Sequence, residues 1–113
     1  MTVMDRFSLT GRTAVVTGST RSMGPAFAGA LAEARAAVVV VGRDRDAASE
    51  VEAELEQRGA RSHTVLADRT RRPDVERVLA EAVDIFGRVD VLVNNAGTCI
   101  HKPALEVTDD EWR

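Results

Sequence analysis

The residues best suited to chemistry in this sequence form a turn rich in glycine, serine and threonine at positions 17–24. A short apolar run precedes the turn, and a helix-type pattern opens at Gly24. A strand, a glycine turn and a helix in this order present backbone N–H groups and the positive end of a helix to a phosphate. Gly18 permits a turn that a Cβ would obstruct, and Gly24 lets helix and strand approach closely. An ordinary strand-to-helix connection has the same pattern, so the rest of the chain must supply the context.

The elements around this turn alternate between strand and helix. Apolar runs predict strands at residues 13–17, 37–41, 62–66 and 89–93. Helical periodicity predicts helices at residues 24–34, from a cap at Asp44 to residue 58, and at residues 72–86, with Gly59 and Gly87 ending the last two. Such alternation predicts an α/β fold with a parallel sheet covered by helices on both faces. In the segment before the first strand, we expect Phe7 and Leu9 to be anchors.

The composition excludes several classes of protein. The 113 residues suffice for one domain or part of one, and 44% hydrophobic and 29% charged residues are typical of a globular chain. A net charge of -3 does not indicate a nucleic-acid or membrane surface. No apolar run is long enough to span a bilayer, and no signal peptide is apparent. The single Cys99 cannot form an internal disulfide, and no Cys/His set has metal-ligand spacing, so a reducing cytoplasm is the expected location.

Four motifs, in this order, resemble the short-chain dehydrogenase/reductase family. They are Thr17-Gly18-Ser19-Thr20-Arg21-Ser22-Met23-Gly24, Val41-Gly42-Arg43-Asp44, Leu66-Ala67-Asp68 and Asn94-Asn95-Ala96-Gly97. The segment at residues 86–93 that leads into the last motif also matches the family. The resemblance covers essentially the whole chain and corresponds to about the first half of a family member. It implies a Rossmann-type, doubly wound parallel sheet, truncated after the fourth strand, that binds NAD or NADP at the ends of the first and fourth strands.

The resemblance also implies a role for individual residues in binding the nicotinamide dinucleotide. Asp68 would contact the adenine, and three residues of the last motif, Asn94, Ala96 and Gly97, would line the adenosine and nicotinamide-ribose side. The residues that would surround the pyrophosphate and the adjacent ribose are Gly18, Ser19, Thr20, Arg21, Met23 and Gly24. The cofactor-binding residues implied in this way are Gly18, Ser19, Thr20, Arg21, Ser22, Met23, Gly24, Arg43, Ala67, Asp68, Asn94, Ala96 and Gly97.

The end of the second strand bears on the choice between the two cofactors. Sites selective for NAD place an acidic residue there, which accepts from the ribose 2′-OH and repels a 2′-phosphate. Here the position is occupied by Arg43, whose guanidinium can make charge-assisted bonds to a 2′-phosphate, and Arg21 adds positive charge. Asp44, one residue later, is better explained as a helix cap. We therefore expect a preference for NADP.

Two residues depart from the family pattern. Ser22 stands where the family has a middle glycine, and its Cβ crowds the cofactor or strains a backbone that favours positive φ, at a cost of about 1 kcal/mol or more. Arg35 stands where a glycine usually ends the helix.

The family's catalytic chemistry is absent from this sequence. Family members transfer a hydride between nicotinamide and a carbonyl or alcohol carbon, with a tyrosine as general acid/base and a lysine that lowers its pKa. The sequence contains no tyrosine, and its sole lysine is Lys102. His63, on a strand, and His101, in a loop, are not expected to act as catalytic acids. We expect no turnover from these residues alone.

The last residues predict a helix that the sequence does not complete. Thr108 and Glu111 have the spacing of a capping box, two residues before the last position. We expect the chain to be truncated here, which leaves the fourth strand exposed as a sheet edge. We expect a homo-oligomer only for a longer form of the protein.

The alternative to the cofactor-binding half of an oxidoreductase is a non-enzymatic nucleotide-binding module or degenerate remnant. A flavodoxin-like or receiver domain shares the alternating elements, but neither explains the motif at residues 94–97.

Overall fold

A computed structural model describes residues 1–98 and 100–113; Cys99, and the prediction made for it, lie outside the described residues. The elements in chain order are α1 (Val3–Arg6), β1 (Thr13–Val16), α2 (Gly24–Glu33), β2 (Ala37–Gly42), α3 (Arg45–Gln57), β3 (Ser62–Leu66), α4 (Arg72–Phe86), β4 (Val91–Val93), a 3₁₀ turn (Ala104–Glu106) and α5 (Asp109–Trp112).

The strands form one parallel sheet in the order β3-β2-β1-β4. Val15 of β1 lies beside Val39 of β2 on one side and Leu92 of β4 on the other. The chain places β2 and then β3 on one side of β1, and it places β4 on the other side. The strand order therefore reverses between β1 and β4. The α/β fold predicted from the alternating elements and the Rossmann-type sheet implied by the family resemblance are both confirmed.

The continuous valine runs are explained by burial on both faces of the sheet. Val16, Val38 and Val40 pack with Leu55 beneath α2 and α3, whereas the neighbouring positions of β1 and β2 pack toward α4. Side chains alternate between faces along a strand, so a run of valines fills both layers of the core. Burying each valine contributes about 1.5–3 kcal/mol before the cost of ordering it.

Local signals fix the helix ends. The Asp44 carboxylate accepts from the N–H groups of Asp46 and Ala47 at 2.9 and 3.2 Å, which confirms it as the cap of α3. Gly87 ends α4 with φ 82°, a conformation that costs glycine little. The Thr108 and Glu111 capping box is also present at α5.

Several boundaries and contacts differ from the sequence prediction. β4 begins at Val91, two residues late, because the Asp90 side chain bonds to the Thr13 N–H and to arginines. Phe7 is 70% exposed, so its prediction as an anchor is wrong.

On the apolar face of α4, only Ala82 is fully buried. The outer part of that face is exposed and comprises Val75, Leu79 and Val83. Periodicity identifies an apolar face but not how much of it the sheet covers.

Within the part of the chain that the structure describes, no helix has the length and apolar character needed to cross a membrane.

Candidate functional site

A cleft of about 350 Å³ opens at the carboxyl ends of the strands. It is bounded by the turn after β1, the end of β2, the loop after β3 and the loop after β4. In open parallel sheets, ligands bind at the edge formed by the carboxyl ends of the strands. They bind where the strand order reverses, which here is between β1 and β4. We call it the carboxyl-end cleft. Its lining residues are Thr17, Gly18, Thr20, Arg21, Ser22, Val41, Gly42, Arg43, Asp44, Ala67, Arg69, Thr70, Asn95, Ala96, Gly97 and Thr98.

The two glycines of the turn allow close approach of backbone segments. Gly18 has φ 62°, and a Cβ there would lie 2.8 Å from the Cα of Ala96. A Cβ on Gly24 would overlap the carbonyl oxygen of Gly18. The predicted purposes of these glycines, a turn free of Cβ and a tight approach of helix to strand, are therefore confirmed.

Several backbone N–H groups of the turn remain available. Ser19 N–H donates to Val41 O at 3.0 Å, and Gly24 N–H donates to Arg21 O at 2.9 Å. Among the described residues, no hydrogen bond occupies the N–H groups of Thr20, Ser22 and Met23. Clustered free donors at the start of a helix form a site for an anion.

Ser19 lies beneath the cleft and not in its lining. Its side chain is fully buried, its hydroxyl donates to the carbonyl oxygen of Val16, and that hydroxyl accepts from the Val41 N–H at 3.0 Å. Ser19 therefore connects the turn to the ends of β1 and β2 and fixes the backbone of the turn.

Thr17 and Asn95 lie on the side of the cleft formed by the loop after β4, and neither is among the site residues predicted from the sequence. The Thr17 hydroxyl accepts from the N–H groups of Asn95 and Ala96 at 3.1 and 3.0 Å, and it donates to Val93 O at 3.3 Å. The Asn95 amide donates to Gly18 O at 3.0 Å. These bonds join the loop after β4 to the glycine turn. The threonine directly after an apolar strand was the available signal for this contact.

The end of β2 brings an exposed arginine to the cleft. Gly42 is closely covered by Thr20, whose Cγ2 would lie 2.8 Å from a Cβ at that position. Arg43 follows and lines the cleft together with Arg21 and Arg69. Asp44, the cap of α3, is the acidic residue in this lining, so three arginines outnumber one carboxylate and the charge is mainly positive.

Asp68 is tied to its own loop. Its carboxylate accepts from the Thr70 hydroxyl at 2.6 Å and from the Thr70 N–H at 2.9 Å. These two bonds hold the pKa of Asp68 below its ordinary value of 3.8, and the charge of Arg43 lowers it further. Asp68 is thus ionised at neutral pH and lies close enough to Arg43 to influence it.

The structure brings most of the sequence-predicted residues to the cleft. Those that line it are Gly18, Thr20, Arg21, Ser22, Arg43, Ala67, Ala96 and Gly97. Those beside the lining are Ser19, Met23, Gly24, Asp68 and Asn94. Ser22 has φ 55°, so a non-glycine residue does occupy the left-handed conformation expected of the family's middle glycine. Within residues 1–98 and 100–113, no group of three or more His, Cys, Asp or Glu side chains could hold a metal ion.

Comparison with known proteins assigns the family. The model of the short chain dehydrogenases matches residues 12–113. The chain belongs to the short-chain dehydrogenase/reductase family. It is 41% identical over 106 residues to a hydroxynaphthalene reductase-like protein of Metarhizium robertsii, and the match covers 93% of this chain and 40% of the relative.

Solved short-chain dehydrogenase structures agree with this fold. One from Mycobacterium marinum has a TM-score of 0.91 at 32% identity and covers 99% of this chain and 45% of its own. An L-sorbose reductase from Gluconobacter frateurii, solved with NADPH and L-sorbose, has a TM-score of 0.85 at 34% identity and covers 94% of this chain and 41% of its own. The chain therefore spans less than half the length of these relatives.

Proposed function

We propose that this chain is the cofactor-binding part of an NADP-dependent oxidoreductase and that NADP binds in the carboxyl-end cleft. Members of the family are oxidoreductases that use nicotinamide cofactors. The observation that carries the proposal is the glycine turn: Gly18 and Gly24 let the loop after β4 and the start of α2 approach it closely, and several of its N–H groups form no hydrogen bond among the described residues. Those donors and the start of α2 suit a pyrophosphate.

The remaining predicted residues would bind the two nucleosides. Asp68 and Ala67 lie at the end of β3 and would contact the adenine, as the family resemblance implies. Asn94, Ala96 and Gly97 follow β4 and would line the ribose next to the nicotinamide. Thr17 and Asn95 would hold this loop in position through their bonds to Ala96 and Gly18.

The arginines support a preference for NADP over NAD. Arg43 follows β2 and lines the cleft together with Arg21, so both arginines are available to a 2′-phosphate there. Both nearby carboxylates are charged, but among the described residues neither forms an ion pair with Arg43: Asp44 caps α3, and Asp68 accepts from Thr70. The L-sorbose reductase that this chain resembles was solved with NADPH.

The chain's own residues bind and orient the cofactor, which supplies the hydride when bound. The sequence has no tyrosine, and its lysine, Lys102, pairs with Glu111 at 2.7 Å. We propose that the chain alone turns over no substrate and that reduction of a carbonyl, or oxidation of an alcohol, is the activity of a longer protein.

Fluorescence titration with NADPH and NADH tests this proposal. Arg43→Ala is expected to weaken NADPH binding about tenfold, since a charge-assisted contact to phosphate is lost, and to leave NADH binding nearly unchanged. Arg45→Ala is the matched control, because it removes an exposed arginine two residues away that does not line the cleft. Equal loss of both nucleotides in Arg43→Ala would contradict the NADP preference, and no binding of either would overturn the cofactor site.

A second candidate, a nucleotide-binding module without catalysis, is favoured by the strained Ser22 and by the absence of tyrosine. The intact mass of the native protein separates the two. A mass well above 12.2 kDa supports the oxidoreductase, whereas a mass of 12.2 kDa supports the module.

A further inference from the structure

A second concave surface lies at the end of the sheet opposite the carboxyl-end cleft. It measures about 570 Å³ and is formed by the segment that enters β1, the α2–β2 connection and the α3–β3 connection. We call it the amino-end cavity. It lies at β1, β2 and β3, so a ligand there would not compete with one in the carboxyl-end cleft.

The amino-end cavity is lined by far more positive than negative charge. Its charged lining residues are Arg12, Arg35, Arg58, Arg61 and Glu33. The whole chain has a net charge of -3, so this concentration of arginine is opposite in sign to the average surface. Such a local field attracts anions.

Arg58 is held in place before any ligand arrives. Its guanidinium forms an ion pair with Glu33 at 3.1 Å and lies against Gly29 of α2, where a Cβ would overlap it. Its side chain is 41% exposed, so the guanidinium can still reach a ligand. A fixed guanidinium loses less rotamer entropy on binding than a free one.

The other arginines are only partly neutralised. Asp90 accepts from both Arg12, at 3.2 Å, and Arg88, at 2.6 Å, so one carboxylate serves two guanidinium groups. Arg61 lies 5.1 Å from the centre of the Phe86 ring, a contact that orients its guanidinium without removing its charge. The cavity therefore keeps unbalanced positive charge on oriented donors.

Arg35 is the least expected of these residues. It follows α2 with φ 77°, a conformation that costs a side-chain-bearing residue about 1 kcal/mol or more and that glycine would adopt freely. The arginine thus occupies a strained position in the lining of the cavity.

We propose that the amino-end cavity binds a small multivalent anion with phosphate chemistry, such as a phosphate monoester or a pyrophosphate. Planar guanidinium groups recognise phosphate oxygens by paired hydrogen bonds, and they stay charged at every physiological pH. The inference does not depend on the cofactor proposed for the opposite end of the sheet.

Titration of the ¹⁵N-labelled chain with inorganic pyrophosphate, at ionic strength held constant with NaCl, tests the proposal. We expect saturable amide shifts at Gly59, Ala60 and Arg61, which are followed separately from shifts at Gly18 in the other cleft. Arg35→Gly is the sharpest variant, since it removes a guanidinium and also relieves the backbone strain. It is expected to weaken binding at the amino-end cavity about fivefold while the midpoint of urea unfolding stays equal or rises.

Two further variants keep the test decisive. Gly29→Ala leaves every charge in place but displaces the Arg58 guanidinium, so it is also expected to weaken binding. Arg45→Ala removes an arginine outside the lining and is expected to have no effect. The proposal is overturned if no saturable shifts occur at residues 59–61, or if Arg35→Gly and Arg45→Ala bind pyrophosphate equally well.

Discussion

Gly24 lies so close to Gly18 that a Cβ on Gly24 would overlap the Gly18 carbonyl oxygen and approach the Ser19 Cα to 2.8 Å. Backbone atoms cannot move aside as the end of a long side chain can. Gly24→Ala is therefore expected to push α2 away from β1 and to lower the free energy of unfolding by about 1–3 kcal/mol, as measured by urea denaturation.

Gly97→Ala provides the control for that substitution. A Cβ there would meet only Asn95 O, at 3.9 Å, which is ordinary contact. If Gly24→Ala lowers the free energy of unfolding no more than Gly97→Ala does, the close packing of α2 against the turn does not restrict position 24 to glycine.

Ser22 has φ 55° in the exposed part of the same turn, where glycine would carry no Cβ strain. Ser22→Gly is expected to raise the free energy of unfolding by about 0.5–1 kcal/mol. The same change at Ser49, an exposed position inside α3, should lower it by a similar amount, because glycine is unfavourable in a helix. Urea denaturation of both variants measures the two changes in the free energy of unfolding, which should have opposite signs. A loss of stability in Ser22→Gly would mean that the serine makes a compensating contact.

Structural features that have a local cause could be predicted from the sequence. The helix predicted at residues 72–86 has those bounds in the structure, because strong periodicity and Gly87 define it. The Asp44 cap is local as well. By contrast, the inward turn of Ser19, the bonds of Thr17 to the loop after β4 and the exposure of Phe7 depend on segments distant in sequence. Four arginines from three separate segments meet at the amino-end cavity, and no local pattern could have indicated that.

Asp90 links the start of β4 to β1 through charge. Hydrogen bonds from Arg88, and then from the Thr13 N–H, lower the pKa of Asp90 from 3.8 to about 2. Because the pKa is lower in the folded state, the carboxylate stabilises the fold fully above its unfolded pKa, and that stabilisation is lost as pH falls from about 4 to about 2. Asp90→Asn is expected to be less stable at neutral pH and to show a flatter dependence of stability on pH across that range.

Urea denaturation at a series of pH values measures this difference. Asp84→Asn, which removes an exposed carboxylate from α4, is the control and should follow the unmodified chain. A pH dependence in Asp90→Asn as steep as that of the unmodified chain would show that other carboxylates govern acid unfolding.

β4 pairs with β1 on one side and is the last strand of the sheet on the other. Leu92, in its centre, is 58% exposed, and an apolar strand at a sheet edge is a template for pairing with another chain. Leu92→Lys is expected to reduce aggregation, measured by light scattering during mild heating, because a charge on an edge strand opposes such pairing. Leu105→Lys is the control: Leu105 is fully exposed but lies in the 3₁₀ turn, so it tests exposed leucine without a strand edge. Equal protection by both variants would mean that total exposed apolar surface, and not the β4 edge, drives association.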